Sequence, residues 1–177
     1  SLIITAKHMK IPNDQMIQKG ISIVTLPETR WARCDIKAIA LLPNVLAKQE
    51  ALDKGANDAW FVDQKGFITE ASAANAWIIN DQGILQTRQV DDGILSGITR
   101  KSILSIAKEL NIDFLEKPFS VDDALKAKEA FITSATNYVM PVTKINKTII
   151  GAGSAGPIAL RLRKRYLEAM VENASHC

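Results

Sequence analysis

Histidine, cysteine and aromatic side chains are scarce in this chain, and their scarcity excludes several kinds of site. The sequence contains 2 His and 2 Cys among 177 residues, and aromatic residues make up 6% of it. His8 and His176 have no metal-like spacing, so no metal site is predicted. Cys34 and Cys177 provide no disulfide framework, and the chain therefore fits a reducing compartment such as the cytoplasm.

Neither charge nor hydropathy points to a nucleic acid or a membrane as a partner. The formal net charge of +3 at pH 7 is small, and no basic stripe is interleaved with aromatic residues. No run of about 18 apolar residues is present that would span a bilayer. With 47% hydrophobic residues, the chain is long enough for one domain with its own core. We interpret a basic cluster near the C-terminus as the solvated face of a helix; its members are Arg161, Arg163, Lys164 and Arg165.

Apolar periodicity and turn residues predict a mixture of helices and strands. Helices are predicted from Pro43 to about Lys54, over 99–110, from Ser120 to about Glu129, and over about 157–171. Strands are predicted at 20–25, 59–62, 67–69, 76–79, 84–87, 131–133, 138–145 and 148–150. Hairpins mixed with helices indicate an α/β or α+β domain with a curved, partly antiparallel sheet flanked by helices.

The first residues predict a strand that belongs to something else. Residues 1–6 have full strand character without an initiator Met or a preceding turn, and the polar residues 10–20 are typical of a linker. We therefore expect a fragment in which 1–12 are the last strand of a missing N-terminal domain plus a linker, and 13–177 form a second domain. Leu2, Ile3 and Ile4 would be a strand without its sheet, which should pair with a neighbouring molecule or be disordered.

Residues Gly151 to Gly156 match G-x-G-x-x-G, follow a predicted strand and open a predicted helix, as a dinucleotide-binding fingerprint does. A Rossmann unit also needs a second parallel strand with an acidic residue about 20 residues further on. The last helix runs almost to Cys177 and leaves no room for that strand. A flexible connector is the preferred interpretation, and a nucleotide-binding module stays open as the non-enzyme alternative.

Lys37, at the end of the segment 33–37, is the first candidate for a chemical role. A lysine that forms an imine must be neutral for part of the time, which burial and nearby positive charge promote. Arg30 and Arg33 would supply such charge, whereas Asp35 would oppose it. Taken alone, Lys37 is better explained as an ordinary surface lysine near a helix start.

A carboxylate and two groups of hydrogen-bond donors follow further along the chain. Glu70 ends a predicted strand and enters a turn of small residues, which a planar ring can approach closely. Gly97 precedes a predicted helix, so the N–H groups of Ile98 and Thr99 and the Thr99 hydroxyl are available to a phosphate. Residues 133–136 add hydroxyl groups at a strand end. Pyridoxal phosphate needs a lysine, a carboxylate and phosphate-binding donors, although each feature alone is also an ordinary turn or cap.

Together these segments resemble the fold-type IV pyridoxal-phosphate enzymes, which include D-amino acid aminotransferases, branched-chain aminotransferases and aminodeoxychorismate lyases. The resemblance covers nearly the whole chain in order, and it implies that 13–177 are a C-terminal, cofactor-binding pseudo-barrel domain. It implies pyridoxal 5'-phosphate as the cofactor, Lys37 as the Schiff-base lysine and Glu70 as the partner of the pyridine nitrogen. The remaining contacts that it implies are Leu95 on the ring face and, around the phosphate, Ile98, Thr99, Ser134 and Ala135.

Within the family, the segments 30–37 and 41–49 look most like the D-amino acid aminotransferases. Branched-chain enzymes tend to carry a Tyr five residues after the lysine, where this chain has Leu42. The resemblance therefore implies amino-group exchange between a D-amino acid and a 2-oxo acid, in a homodimer. A branched-chain L-amino acid aminotransferase and a lyase stay open as alternatives.

Family members place an N-terminal domain before this point of the chain. That domain supplies an arginine to the cofactor phosphate and, in D-amino acid aminotransferases, an Arg-x-His trap for the substrate carboxylate. Neither is present in these 177 residues. We therefore expect the polypeptide by itself to be an inactive structural domain, although the parent protein is an enzyme.

Overall fold

The computed structural model describes residues 3–5 and 12–174, and side chains as far as residue 172. The helices of this part are α1 Asp14–Lys19, α2 Leu42–Asp53, α3 Ile98–Glu109, α4 Val121–Leu125 and α5 Pro157–Ala174. The strands that precede α3 are β1 Ile21–Pro27, β2 Asp58–Val62, β3 Ile68–Ala71, β4 Asn75–Ile79 and β5 Leu85–Thr87. The strands that follow it are β6 Phe114–Glu116, β7 Glu129–Ser134, β8 Tyr138–Ile145 and β9 Thr148–Ile149.

Six of the strands close into a ring. The hydrogen-bonded order is β3-β2-β1-β8-β7-β4, and β4 pairs again with β3. β5 and β6 extend the sheet outward from β4, and β9 pairs with β8. β1 is parallel to both of its neighbours, whereas β7 is antiparallel to β4 and β8. The prediction of a mixed α/β fold with a curved, partly antiparallel pseudo-barrel flanked by helices is confirmed.

Side chains on the two faces of the ring form separate apolar clusters, because successive residues of a strand point to opposite faces. One cluster takes residues from all six ring strands, and Trp60, Ile78 and Ile132 are among its buried members. A second cluster joins the alternate residues Trp77 and Phe131 to α3 and α5. A third packs α2 against β1 and β2. The helices therefore cover the outside of a ring that has its own core.

Local signals explain where several helices begin. Ser120 caps α4 in a capping box with Asp123, as the sequence predicts for a helix that starts there. That helix ends at Leu125, earlier than predicted, because Glu129 already belongs to β7. The linker predicted at 10–20 is also wrong in part: Asn13 caps the short helix α1 by accepting a hydrogen bond from the backbone N–H of Met16.

The strand predicted at residues 1–6 is not formed where the structure describes it. Residues 3–5 belong to no strand, and the side chains of Ile3 and Ile4 are each 83% exposed. An extended segment needs an adjacent strand for its backbone hydrogen bonds, and in this chain it has none at these residues. Leu2 lies outside the described residues. The division into a preceding domain and residues 13–177 stays a prediction.

Candidate functional site

Glu70 is a buried carboxylate at the end of β3, and three hydrogen-bond donors converge on it. Arg30 Nη1 donates to Oε1 in a buried ion pair. Asn75 Nδ2 and the backbone N–H of Leu95 each donate to Oε2 at 3.2 Å. A carboxylate held by three donors of different segments has a fixed orientation.

Arg30 is the ionic partner of Glu70 and of a second carboxylate. Its guanidinium lies 4.6 Å from the centre of the Phe61 ring, and it is held by Glu28, which also accepts from the Thr69 hydroxyl at 2.7 Å. The sequence indicates Arg30 only as a positive charge near Lys37. Its buried pairing with Glu70, 40 residues away in the chain, has no signal in local spacing.

The electrostatics of this group depend on the arginine. Burial raises the pKa of the Glu70 carboxyl above its ordinary value, and the charge and hydrogen bond of Arg30 oppose that rise. Burial would likewise raise the pKa of Glu28, but the hydrogen bond and charge of Arg30 outweigh it, and the pKa is lowered. Burial acts to lower the pKa of Arg30 itself, and the two carboxylates raise it instead. Glu70 therefore relies on Arg30 for its negative charge.

Asn75 joins Glu70 to the segment that carries Leu95. Its side-chain Nδ2 donates to the Leu95 carbonyl at 2.8 Å as well as to Glu70. Arg30 Nη2 donates to the carbonyl of Gly93, two residues before Leu95, at 3.1 Å. Three hydrogen bonds thus hold the backbone of residues 93–95 beside Glu70 and its partners, and the Leu95 side chain is half-buried. The role of Asn75 was not predicted, although Asn75 ends the turn of small residues that follows Glu70.

The first turn of α3 has unoccupied hydrogen-bonding capacity. No side chain caps this helix, and the first N–H groups of a helix have no partner within it. The Thr99 hydroxyl is buried and has no hydrogen-bond partner among the described residues. Gly97 is required here because a Cβ would lie 2.4 Å from Asn75 Oδ1. Ile98 is exposed, so its N–H group lies at the surface end of the helix.

The structure brings the start of α3 close to the end of β7. Asn75, whose side chain contacts the Leu95 segment, is opposite Thr133 in the ladder of β4 and β7. Ser134 follows, and its Oγ accepts from the N–H of Asn137 at 3.1 Å. Ala135 is exposed in the turn after it. Glu70, Leu95, Thr99 and the Ser134 turn therefore lie on one connected set of segments.

Lys37 lies in an exposed loop that is joined to this set by the backbone. The N–H of Cys34 donates to the Asp92 carbonyl at 2.8 Å, which ties the loop to the segment before Leu95. Asp35 is turned towards Arg33, with both hydrogen bonds at 2.8 Å, and does not neutralise the lysine. In the described part of the chain, Lys37 Nζ has no hydrogen bond or ion pair. The structure thus leaves the Lys37 side chain exposed and, among the described residues, links it to Glu70 by no hydrogen bond or ion pair.

The segment from Gly151 to Gly156 is a connector, because an internal carboxylate already occupies the helix end that a nucleotide phosphate would need. Glu129 accepts from the N–H groups of Ile158 and Ala159, at 3.0 and 2.8 Å, at the start of α5. Gly156 permits this contact, since a Cβ there would lie 2.0 Å from Glu129 Cδ. A second anion at this helix end would be repelled.

We expect Glu129→Ala to destabilise the domain, because the buried start of α5 would lose both acceptors. The expected loss is about 1–3 kcal/mol in the free energy of unfolding, measured with urea. Ser154→Ala, an exposed change in the same connector, is the control and should stay within about 0.5 kcal/mol. Equal stability of Glu129→Ala and the parent would contradict the capping role.

The described residues contain no group of three or more His, Cys, Asp and Glu side chains that would hold a metal ion. His8 and His176 lie outside them. No helix among them is long and apolar enough to cross a membrane. Arg163, predicted on a solvated face, is instead 7% exposed, because it lies on the side of α5 that packs against the sheet.

A sequence model of the amino-transferase class IV family matches residues 1–145, so the chain belongs to the class IV aminotransferases. It is 38% identical over 171 residues to the D-alanine aminotransferase of Listeria monocytogenes serotype 4b (strain F2365), which covers 96% of this chain and 58% of that protein. It is 40% identical over 141 residues to the D-alanine aminotransferase of Bacillus licheniformis, with 80% and 49% covered. The chain thus spans about half the length of these relatives.

Solved structures agree with this assignment. The branched-chain aminotransferase of the archaeon Thermoproteus uzoniensis with norvaline superposes with a TM-score of 0.76 and 28% identity, over 85% of this chain and 50% of that one. The Escherichia coli branched-chain amino acid aminotransferase has a TM-score of 0.75 and 26% identity, over 86% and 52%. The resemblance to the fold-type IV aminotransferases is therefore confirmed.

Proposed function

We propose that the whole protein is a pyridoxal-phosphate-dependent aminotransferase that exchanges an amino group between a D-amino acid and a 2-oxo acid. The observation that carries the proposal is the buried Glu70–Arg30 pair, which lies on segments connected to a helix start with an unpartnered Thr99 hydroxyl. The family membership and the D-alanine aminotransferase relatives support it.

The residues fit the cofactor. Pyridoxal phosphate supplies, when bound, an aldehyde carbon and a ring that accepts electrons from the substrate Cα. Glu70, kept ionised by Arg30, would hold the proton on the ring nitrogen. The N–H groups of Ile98 and Thr99, the Thr99 hydroxyl and the Ser134–Ala135 turn would bind the phosphate at the positive end of α3, and Leu95 would pack on the ring face.

Lys37 would hold the cofactor through its amine and then move the proton between the substrate Cα and the cofactor C4′, first as a base and then as an acid. This role is supported by the family membership and by the backbone link of its loop to the segment before Leu95. The reaction would proceed by ping-pong exchange, because the amino donor leaves as an oxo acid before the acceptor binds.

The choice of the D-enantiomer is tested on the full-length protein. We expect D-alanine to donate its amino group to a 2-oxo acid at least about 100-fold faster than L-alanine or L-leucine, in terms of kcat/KM, because discrimination by a site built around one enantiomer is of this order. Faster turnover of L-leucine would support a branched-chain enzyme instead, in spite of Leu42. Release of pyruvate from aminodeoxychorismate would identify a lyase.

The chain of 177 residues is proposed to be inactive by itself, because the phosphate and carboxylate contacts of a preceding domain would be absent. Titration with pyridoxal phosphate, followed by visible spectroscopy, tests this beside the full-length protein. Turnover by the isolated chain would contradict it. Tight nucleotide binding without any cofactor signal would favour the nucleotide-binding module, which the position of Glu129 opposes.

We further propose a homodimer, and one exposed apolar surface is suited to it. The α2 surface is defined by the side chains of Ile39, Leu41, Leu42, Val45 and Leu46, which are 52–99% exposed. It borders a groove of about 400 Å³ that Leu26, Pro27 and Phe61 also line. Contiguous apolar patches of this kind are typical of interaction sites.

We expect Leu42→Glu to shift the full-length protein towards the monomer, since a charge would have to be buried in the interface. Light scattering over a concentration series measures the shift. Ile149→Glu, at an exposed residue on β9, is the matched control and should leave association unchanged. If both variants, or neither, altered association, the α2 surface would not be the interface.

The location of the protein stays a prediction. Cys34 is a free thiol, and burial raises its pKa, which keeps it in the unreactive protonated form. This is compatible with the cytoplasm that the sequence predicts. Cys177 lies outside the described residues.

A further inference from the structure

Arg163 is a buried cation that the proposed chemistry does not use. It lies on α5 with 7% of its surface exposed, and it forms no ion pair with a carboxylate among the described residues. Burial lowers the pKa of its guanidinium, and the negative charge of Asp14 offsets this only in part. A buried charge without a paired counterion is costly and is kept where it has a specific partner or task.

Its hydrogen bonds reach the turn that joins β7 to β8 and the start of β8. Arg163 Nη1 donates to the carbonyl of Asn137 at 2.8 Å and to that of Val139 at 2.7 Å. The guanidinium lies 5.6 Å from the centre of the Tyr138 ring. Tyr138 has a φ of 57°, in the left-handed region that non-glycine residues rarely adopt. Arg163 thus holds the carbonyls of the two residues on either side of a strained residue.

Asn137 transmits this contact to Ser134. The Asn137 carbonyl accepts from Arg163, while the N–H of the same residue donates to Ser134 Oγ at 3.1 Å. Because Ser134 Oγ accepts this bond, its own O–H proton is left to donate elsewhere. The neighbouring Thr136 hydroxyl lies 3.3 Å from it. The Ser134 hydroxyl is therefore available as a donor at the edge of the site, and Asn137 links it to the buried guanidinium of Arg163.

We propose that Arg163 is a positioning residue for an organic phosphate: it fixes the turn 135–137 so that the Ser134 hydroxyl donates to the phosphate of the cofactor. This inference rests on the proposed function. Arg163 does not touch the phosphate, and it acts through Asn137.

The test compares two ligands that differ only in the phosphate, on the full-length protein. Dissociation constants for pyridoxal phosphate and for pyridoxal are measured for the parent, Arg163→Met, Arg163→Lys and the control Lys164→Met, an exposed charge on the same helix. Arg163→Met should weaken pyridoxal phosphate by about tenfold or more and pyridoxal by less than about threefold, since the charge-assisted hydrogen bond from Ser134 to the phosphate would be lost. Arg163→Lys should recover part of the loss, and Lys164→Met should change neither constant.

A double-mutant cycle with Ser134→Ala tests the route through the turn. If Arg163 acts through Ser134, the two losses in affinity should not add. Additive losses, or equal weakening of both ligands by Arg163→Met, would overturn the inference; if that variant does not fold, the same comparison and cycle are made with Arg163→Lys. A parent protein that binds no pyridoxal phosphate would overturn the proposed function and this inference together, whereas parent binding with unchanged ratios in the variants would overturn the inference alone.

Discussion

Full-length protein that carries Lys37→Ala is expected to lose nearly all transamination and the visible absorbance of its bound cofactor. The amine that would hold the cofactor is removed, and the same change removes the base that would move the Cα proton. General acid–base catalysis alone contributes about 10²–10⁴-fold, so kcat should fall by at least that factor. Stopped assays of oxo acid formation and a visible spectrum of the purified variant measure both effects.

Lys54→Ala is the matched control for this experiment. Lys54 is an exposed lysine that pairs with Glu50 at the end of α2, at a distance in sequence from the candidate site. It should retain the absorbance and the turnover of the parent, because exposed ion pairs contribute about 0–1 kcal/mol. Retained turnover in Lys37→Ala would contradict the assignment of Lys37 as the Schiff-base lysine.

Most of the elements could be predicted because their signals are local. The cap of α4 at Ser120, the glycine before α3 and the turns between β2 and β5 depend on residues three or four positions apart. Strand β6, with the three residues Phe114–Glu116, was missed because it is formed only through parallel pairing with β5. Its sequence has no alternation long enough to indicate a strand.

The position of Glu70 could be predicted from the sequence, whereas its contacts could not. Glu70 was expected at a strand end among small residues, and it lies there. Its pairing with Arg30 depends on how β1, β2 and β3 are arranged side by side, which no local pattern specifies. The burial of Arg163 could have been found, because Ala159 and Leu162 are buried and a helix places residue 163 on the same face. Its positive charge indicated an exposed side chain instead.

Replacement of Arg30 should have the largest effect on pH dependence. Burial already raises the pKa of Glu70, and Arg30→Met would remove the cation that opposes this rise. The Glu70 carboxyl would then take up a proton at higher pH and cease to hold the ring nitrogen proton. We expect the acid limb of the kcat/KM profile to move to higher pH, so that activity lost near neutrality is partly regained as pH increases.

Stability should change with pH in the same variant, and the sign follows from linkage. A carboxyl with a raised pKa in the folded state contributes stability below its unfolded pKa, and this stability is lost as pH rises through the folded pKa. Breaking a buried ion pair costs about 3–5 kcal/mol when the remaining charge is uncompensated. The loss caused by Arg30→Met should therefore be larger at about pH 8 than at about pH 5, as measured by urea unfolding at both values.

Two further variants separate this effect from a general loss of packing. Arg30→Lys keeps the positive charge beside Glu70 but loses the forked guanidinium group that reaches Glu28 and Glu70 together. The acid limb of its kcat/KM profile should therefore move less than that of Arg30→Met. Arg165→Met removes an arginine that pairs with Glu109 on the outer surface, and it should cost at most about 1 kcal/mol at either pH. The opposite result would be that Arg30→Met loses the same stability at both pH values and keeps the acid limb of the parent's kcat/KM profile. That result would show that the ionisation of Glu70 does not depend on Arg30. Asn75 and the Leu95 N–H alone would then have to hold the carboxylate in its charged form.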